Sequence, residues 1–447
     1  MSEAARAAWL AVYSGNSQYA PLDVPFILVA VIVGLLTSHA VLGSDWPQFL
    51  GPNRNGISAE TGLNWDWARK PPKTLWKVPL GAGYSSVAVA GDRIYTAAKK
   101  GERDLLVCLD AKDGHEVWSY DAAPSYLDMQ KQGAGPRATP TVYQGKVYAL
   151  FGMGELVGLT TDGKRVWDVN VFKDTGTANP AESSVKMEKW FYWGVSYSPL
   201  IEGDLVIVMP GGKKGSAVAA YHRENGKRVW TAGDDPFGYA SPIAISAAGR
   251  RAIICATGQS VLGIEPTKGS VLFRHAFGNQ FNATAATPVW KDNVLFVSAA
   301  YGGGSAALEL TPGNDAWQVR ELWRNKKSLQ TLMATPIVQD GFIYSAHGDL
   351  SAFQVKCVDL KTGDVKWSDR AGEQRCALLG VDGRLLVWGE KGSLLALNAT
   401  PEAYTVEAEL PGLLKYKSWA MPALADGRLY LRDQSHLLCL DLRRKPE

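Results

Sequence analysis

The stretch SSVAVAGDRIYTAAKKGERDLLVCLDAKDGHEVW (85–118) contains one full unit of structure. Two apolar runs, VAVA and RIYTAA, flank Gly91-Asp92. A third run, LLVCLD, leads through a second turn at Gly114 to a segment ending in Trp118. Gly and Asp supply the backbone conformations that join hairpin strands. The unit therefore reads as four short antiparallel strands, the outermost carrying a large aromatic.

The same unit recurs along the chain. Its opening phrase, a small residue, Thr or Ser, then Pro, appears at Pro140, Pro199, Pro242, Pro288, Pro336 and, as AMP, at Pro422. Two further copies lack the Pro and are anchored at Val87 and Leu379. The eight anchors lie 53, 59, 43, 46, 48, 43 and 43 residues apart. The second phrase, a Gly followed four residues later by an aromatic, appears as Gly114/Trp118, Gly163/Trp167, Gly226/Trp230, Gly269/Phe273 and Gly363/Trp367. A four-stranded sheet of ~45 residues cannot bury both faces alone, and packing such sheets in a ring does so. The expectation is an all-β, eight-bladed β-propeller, the tryptophans filling the joints between blades. The last repeat stops one outer strand short, while TLWKVPL (74–80) is an outer strand with no repeat of its own. Pairing the two closes the ring and removes exposed sheet edges.

Composition agrees. Of 447 residues, 46 are Gly and 16 Trp, which suits many tight turns between short strands. With 46% hydrophobic and 20% charged residues, a mainly disordered chain is excluded. A net charge of +3 gives no basic field for nucleic acid. The 13-residue run Val24–Leu36 is too short to span a membrane comfortably and suits a signal-peptide core. Small residues after it offer cleavage after Ala40 or Gly43, and an uncleaved anchor is the other reading. The expected organisation is a signal or anchor over 1–43, an irregular extension over 44–73 wrapping the ring, and a propeller over 74–442 with an insertion at 171–196. Export to the periplasm or cell exterior follows. The insertion holds WFYWG (190–194), which either pins it to the domain or stacks a ligand.

Five cysteines, an odd number, argue against a full disulfide framework. Cys108, Cys357 and Cys439 share one repeat position with Ala396 and Gly158, a site that wants a small buried side chain. The six histidines show no ligand spacing, so no metal site is expected. Asp234-Asp235 reads as a solvated pair before a turn.

The copies LVCLDAKDGHEVW (106–118), LVGLTTDGKRVW (156–167) and VKCVDLKTGDVKW (355–367) resemble the pyrroloquinoline quinone (PQQ)-like propeller repeat. The opening DWPQFLGPNRNG (45–56) is similar to exported planctomycete-type members. The resemblance implies three functional kinds: quinoprotein alcohol dehydrogenases using PQQ and Ca²⁺, the non-catalytic assembly lipoprotein BamB, and extracellular sensors. The dehydrogenases hold Ca²⁺ through Glu and Asn, use an Asp base, and carry an adjacent Cys-Cys disulfide. This chain has no adjacent cysteines, its Glu-Asn-Asp set is not identified, and no cofactor is assigned. The BamB-type lipid-anchor Cys is also missing. The reading adopted is an exported non-catalytic recognition or scaffold module, with a PQQ-dependent oxidoreductase of alcohols or sugars as the alternative.

One repeat position is expected at the mouth of the central channel, three residues before each anchor. It is occupied by Tyr84, Arg137, Ser196, Tyr239, Ala285, Met333, Cys376 and Trp419. Its variety contrasts with the uniform structural positions. Tyr84, Arg137, Tyr239, Met333 and Trp419 are the candidate binding residues, for a small planar or anionic ligand or a protein partner. Filling the channel is the structural alternative for the same side chains.

Overall fold

The computed structural model describes residues 45–184, 192–212, 214–348, 353–370 and 374–444. The signal-like run 24–36, and Trp190 and Phe191 of the insertion, lie outside them. Among the described residues, the strands form eight antiparallel sheets arranged as an eight-bladed propeller. Blade 1 comprises Ala88–Ala90, Arg93–Lys100, Arg103–Asp110 and Glu116–Pro124. Blades 2 to 7 follow in chain order with the same inner-to-outer sequence. Blade 8 takes its first three strands from the C-terminal end and its fourth, Lys73–Pro79, from the N-terminal side. Trp76 stands opposite Cys439 in that antiparallel pairing.

Tryptophans lock six of the eight blades to the next. The Nε1 of Trp76 donates to Ala111 O at 3.2 Å, Trp118 to Thr161 O at 3.1 Å and Trp167 to Arg223 O at 2.8 Å. Trp230, Trp323 and Trp367 reach Pro266 O, Leu360 O and Thr400 O in the same way. The acceptor always belongs to the following blade. So does the glycine that makes room for the indole: Gly226, at φ +70, would place a Cβ 2.6 Å from the Trp167 ring. The Gly and Trp of the sequence phrase therefore serve different joints. On its own blade each aromatic faces the small position, as Trp118 faces Cys108 and Trp167 faces Gly158. That contact is why Cys, Ala and Gly interchange there. All five cysteines are free and buried, and burial pushes the thiols of Cys108, Cys357 and Cys439 up to about 12.

The Thr/Ser of the opening phrase forms an inner belt. Ser86 N donates to Thr139 Oγ1 at 3.1 Å, Thr139 N to Ser198 Oγ at 2.9 Å, Ser198 N to Ser241 Oγ at 2.9 Å and Ser241 N to Thr287 Oγ1 at 3.3 Å. Each hydroxyl thus satisfies the buried amide of the preceding blade. Leu378 and Met421 replace the hydroxyl in blades 7 and 8, leaving that arc apolar.

The N-terminal extension runs over this inner region of the ring. Trp46 bridges Val89 of blade 1, and Val142 N of blade 2 donates to Pro47 O at 2.7 Å. Arg54, 5% exposed, donates to Ser198 O and Pro199 O at blade 3 and to Gln48 Oε1. Ile57–Ser58 then adds a fifth, parallel strand to the inner edge of blade 7. Blades 3 and 7 lie on opposite sides of the ring, so the segment crosses the axis. Leu50 packs with Ala334, Ala377 and Met421, and Phe49 lies beside them, on the apolar arc. The axial passage is thereby floored at one end.

Candidate functional site

Above that floor lies a cavity of about 200 Å³. Phe49 contributes to its base, and Tyr84, Arg137, Tyr239, Met333 and Trp419 all line it. Ser196 and Ala285 of the same repeat position line it too. Cys376 does not, and the preceding Arg375 takes its place. The start of the innermost strand is therefore where the chain turns into the cavity, in seven of the eight repeats.

One wall is a layered stack. The Tyr84 and Trp419 rings lie 4.9 Å apart at 27°. The Arg137 guanidinium sits 4.9 Å from the Tyr84 centroid and that of Arg375 5.3 Å from the Trp419 centroid. These rings spend their faces on one another and on the cations, so a ligand meets their edges and the guanidinium groups. Tyr84 O–H donates to Gln132 O at 2.7 Å, and burial pushes its phenol up to about 12. Trp419 Nε1 donates to Glu390 Oε2 at 2.8 Å.

Arg137 is held firmly. Its Nε donates to Tyr126 Oη and Trp193 O, both at 3.0 Å, and its Nη2 to Gly133 O at 3.2 Å. Asp128 stands 4.0 Å from Nη2. The Nη1 donors carry no hydrogen bond among the described residues. The insertion contributes in two ways. Tyr192 is fully buried and its hydroxyl donates to Gly152 O, pinning the segment. Trp193 lines the cavity and meets Tyr239 edge-on, at 5.3 Å and 66°.

Sequence reasoning missed Arg375, which sits outside the inspected position, and Phe49, which comes from a non-repeating segment. It also misplaced Asp235. That side chain is 6% exposed, paired with Arg274, and accepts from the Thr257 and Ser260 hydroxyls. Asp234 is the exposed member and shares Arg274. The histidine reading also gains a detail: His115 gathers with Asp110 and Asp113 within 4.8 Å. There Asp110 binds Arg93 at 2.9 Å and Asp113 accepts from His115 N at 3.1 Å, the contacts of an exposed turn.

The profile of the outer membrane protein assembly factor BamB family matches residues 65–189 and 182–369, spanning most of the ring. The chain belongs to this family. No curated protein sequence matches this BamB-family chain significantly. Among solved structures, it is similar to BamB from Moraxella catarrhalis, with a TM-score of 0.59 at 15% identity, over 84% of this chain and 99% of that one. It is similar to the quinohemoprotein alcohol dehydrogenase of Comamonas testosteroni, with a TM-score of 0.62 at 12% identity, over 90% and 82%. Sqt1 of Saccharomyces cerevisiae gives 0.55 at 8% identity, over 83% and 100%. Proteins of such different names share the ring, so the likeness fixes the fold alone.

The resemblance of the repeats to the PQQ-like kind raises the question of PQQ and Ca²⁺. A hard divalent cation needs oxygen ligands, carboxylates above all. The described lining of the cavity offers two guanidinium groups and no Asp or Glu. The donor set therefore does not suit a calcium-bound quinone in this cavity. Among the described residues no helix is long and apolar enough to cross a membrane.

Proposed function

We propose that this chain is an exported, non-catalytic recognition or scaffold module whose axial cavity receives a small anion or an acidic group of a partner. One observation carries the reading: a cavity floored by the chain's own N-terminal segment and walled by Arg137 and by Arg375, whose Nη1 pairs with Glu390 at 3.2 Å, with no carboxylate among its described lining residues. A guanidinium presents planar donors matched to a carboxylate or phosphate. Arg137 retains its Nη1 donors for that purpose, while Nε and Nη2 fix its aim. Family membership supports a scaffold role, and the apolar run at 24–36 supports export.

Calorimetric titration at low salt with citrate, benzoate and PQQ tests the site. Charge-assisted hydrogen bonds contribute about 1.5–3 kcal/mol, so Arg137→Gln and Arg375→Gln should each weaken a binding probe about tenfold or more. Parental affinity in both variants, or no binding by any probe, would overturn the reading.

A further inference from the structure

The joint between blades 1 and 2 holds a second group of polar side chains, away from the cavity wall. Leu106 and Cys108 on blade 1 pack against Val157 and Leu159 on blade 2. Side chains alternate along a strand, so each apolar row ends on a carboxylate: Asp104 beyond Leu106, and Glu155 beyond Val157. Asp104 is 0% exposed; the Ser125 hydroxyl acts on its carboxylate, and neither oxygen reaches full hydrogen-bond geometry with a partner among the described residues. The buried Glu155 Oε2 and Ser125 Oγ also lack a partner in full hydrogen-bond geometry. Glu155 Oε1 accepts from Asn170 Nδ2 at 3.0 Å, which fixes that carboxylate's orientation.

Nearby cations are partly engaged elsewhere. Lys99, 18% exposed, pairs with Glu102 at 3.3 Å and Arg103 with Asp121 at 2.7 Å, so each shares its charge between that partner and Asp104. Burial disfavours the Asp104 charge and the Glu155 charge adds to that, while the Ser125 hydroxyl, Lys99 and Arg103 act against it. An unpaired buried carboxylate is costly, and a second one beside it more so. Asp104, Glu155 and Ser125 act on one another electrostatically and offer only oxygen ligands, the donor type a hard divalent cation takes, with backbone carbonyls or water completing its shell.

We infer that Asp104, Glu155 and Ser125 hold a calcium ion that staples blade 1 to blade 2. The site also touches the cavity's support: Ser125 precedes Tyr126, whose hydroxyl accepts from Arg137 Nε. Loading the ion steadies the segment that aims Arg137.

The test uses the full chain stripped with EGTA, followed by calcium titration. Calorimetry should count one ion per chain. Because the ion binds only the folded state, Tm should climb steadily with the logarithm of free calcium. Magnesium, which demands tighter octahedral geometry, should act at higher concentration. Asp104→Asn and Glu155→Gln should each abolish the calcium-dependent shift, and Asp104→Asn should melt higher than the parent in EGTA. Asp113→Asn, at the exposed turn, should leave the response intact. A parent with no calcium response, or an Asp104→Asn protein that keeps it, overturns the assignment. If both site variants fail to fold, the parent decides with Asp113→Asn. One ion and a calcium-dependent Tm preserved in that variant support the site, and loss of either in it overturns the site.

Discussion

Replacing Gly226 by Ala tests the blade-to-blade lock quantitatively. The new Cβ would sit 2.6 Å from Cε3 and 2.8 Å from Cδ2 of Trp167. The ring has nowhere to retreat, because a Cβ on Gly158, on its own blade, would also lie 2.6 Å from it. Its Nε1 is further tied to Arg223 O at 2.8 Å. Two costs add. An L-residue at φ +70 carries roughly 1–2 kcal/mol of backbone strain. Overpacking adds about 1–3 kcal/mol. Reduced freedom of the unfolded chain returns about 0.4–1 kcal/mol. The expected loss is thus about 2–4 kcal/mol. Gly203 is the control: it also has positive φ, but its Cβ would meet nothing within 4 Å. Gly203→Ala should cost only the backbone part, about 1 kcal/mol. Urea denaturation reads both values from shifts in the midpoint at constant slope. Adding Trp167→Leu should reduce the cost of Gly226→Ala to that of the control. Equal losses at Gly226 and Gly203, or no relief from Trp167→Leu, would refute the lock.

Two further outcomes follow from the ring's closure and its floor. Trp76→Ala removes a side chain that is 8% exposed together with its bond to Ala111 O, so a loss of about 3–5 kcal/mol in the same denaturation assay is expected. A parental midpoint would mean that the strand Lys73–Pro79 does not seal blade 8. Arg54→Met should strand the carbonyls of Ser198 and Pro199, at about 1–3 kcal/mol each, and expose 45–56 to limited proteolysis. Unchanged resistance to cleavage would show that the floor does not depend on Arg54.

The propeller was legible because its determinants repeat. Thr/Ser-Pro, the hairpin Gly-Asp and the outer aromatic each solve the same local problem in most of the blades, so their period carries the fold. The ring of Tyr84, Arg137, Tyr239, Met333 and Trp419 was legible for the same reason, as one position read against seven others. What escaped notice is what occurs once. Residues 45–58 satisfy their backbone against blades 1, 2 and 7 and their Arg54 against blade 3, partners far along the chain that no local pattern marks. The pairing of Gly226 with Trp167 instead of Trp230 crosses a repeat boundary, and spacing within one repeat hides it. Asp235 and Asp104 look like turn and surface residues in sequence. Only the neighbouring strand or blade takes them out of water.

The central claim is recognition without catalysis in the axial cavity. It meets its most direct test in dye reduction by purified protein supplied with PQQ, Ca²⁺ and an alcohol or sugar. The account predicts no reduction beyond that of free PQQ, because the cavity's described lining offers guanidinium groups and no carboxylate for the metal. Saturable turnover, lost on substitution of Arg137 or Arg375, would contradict it.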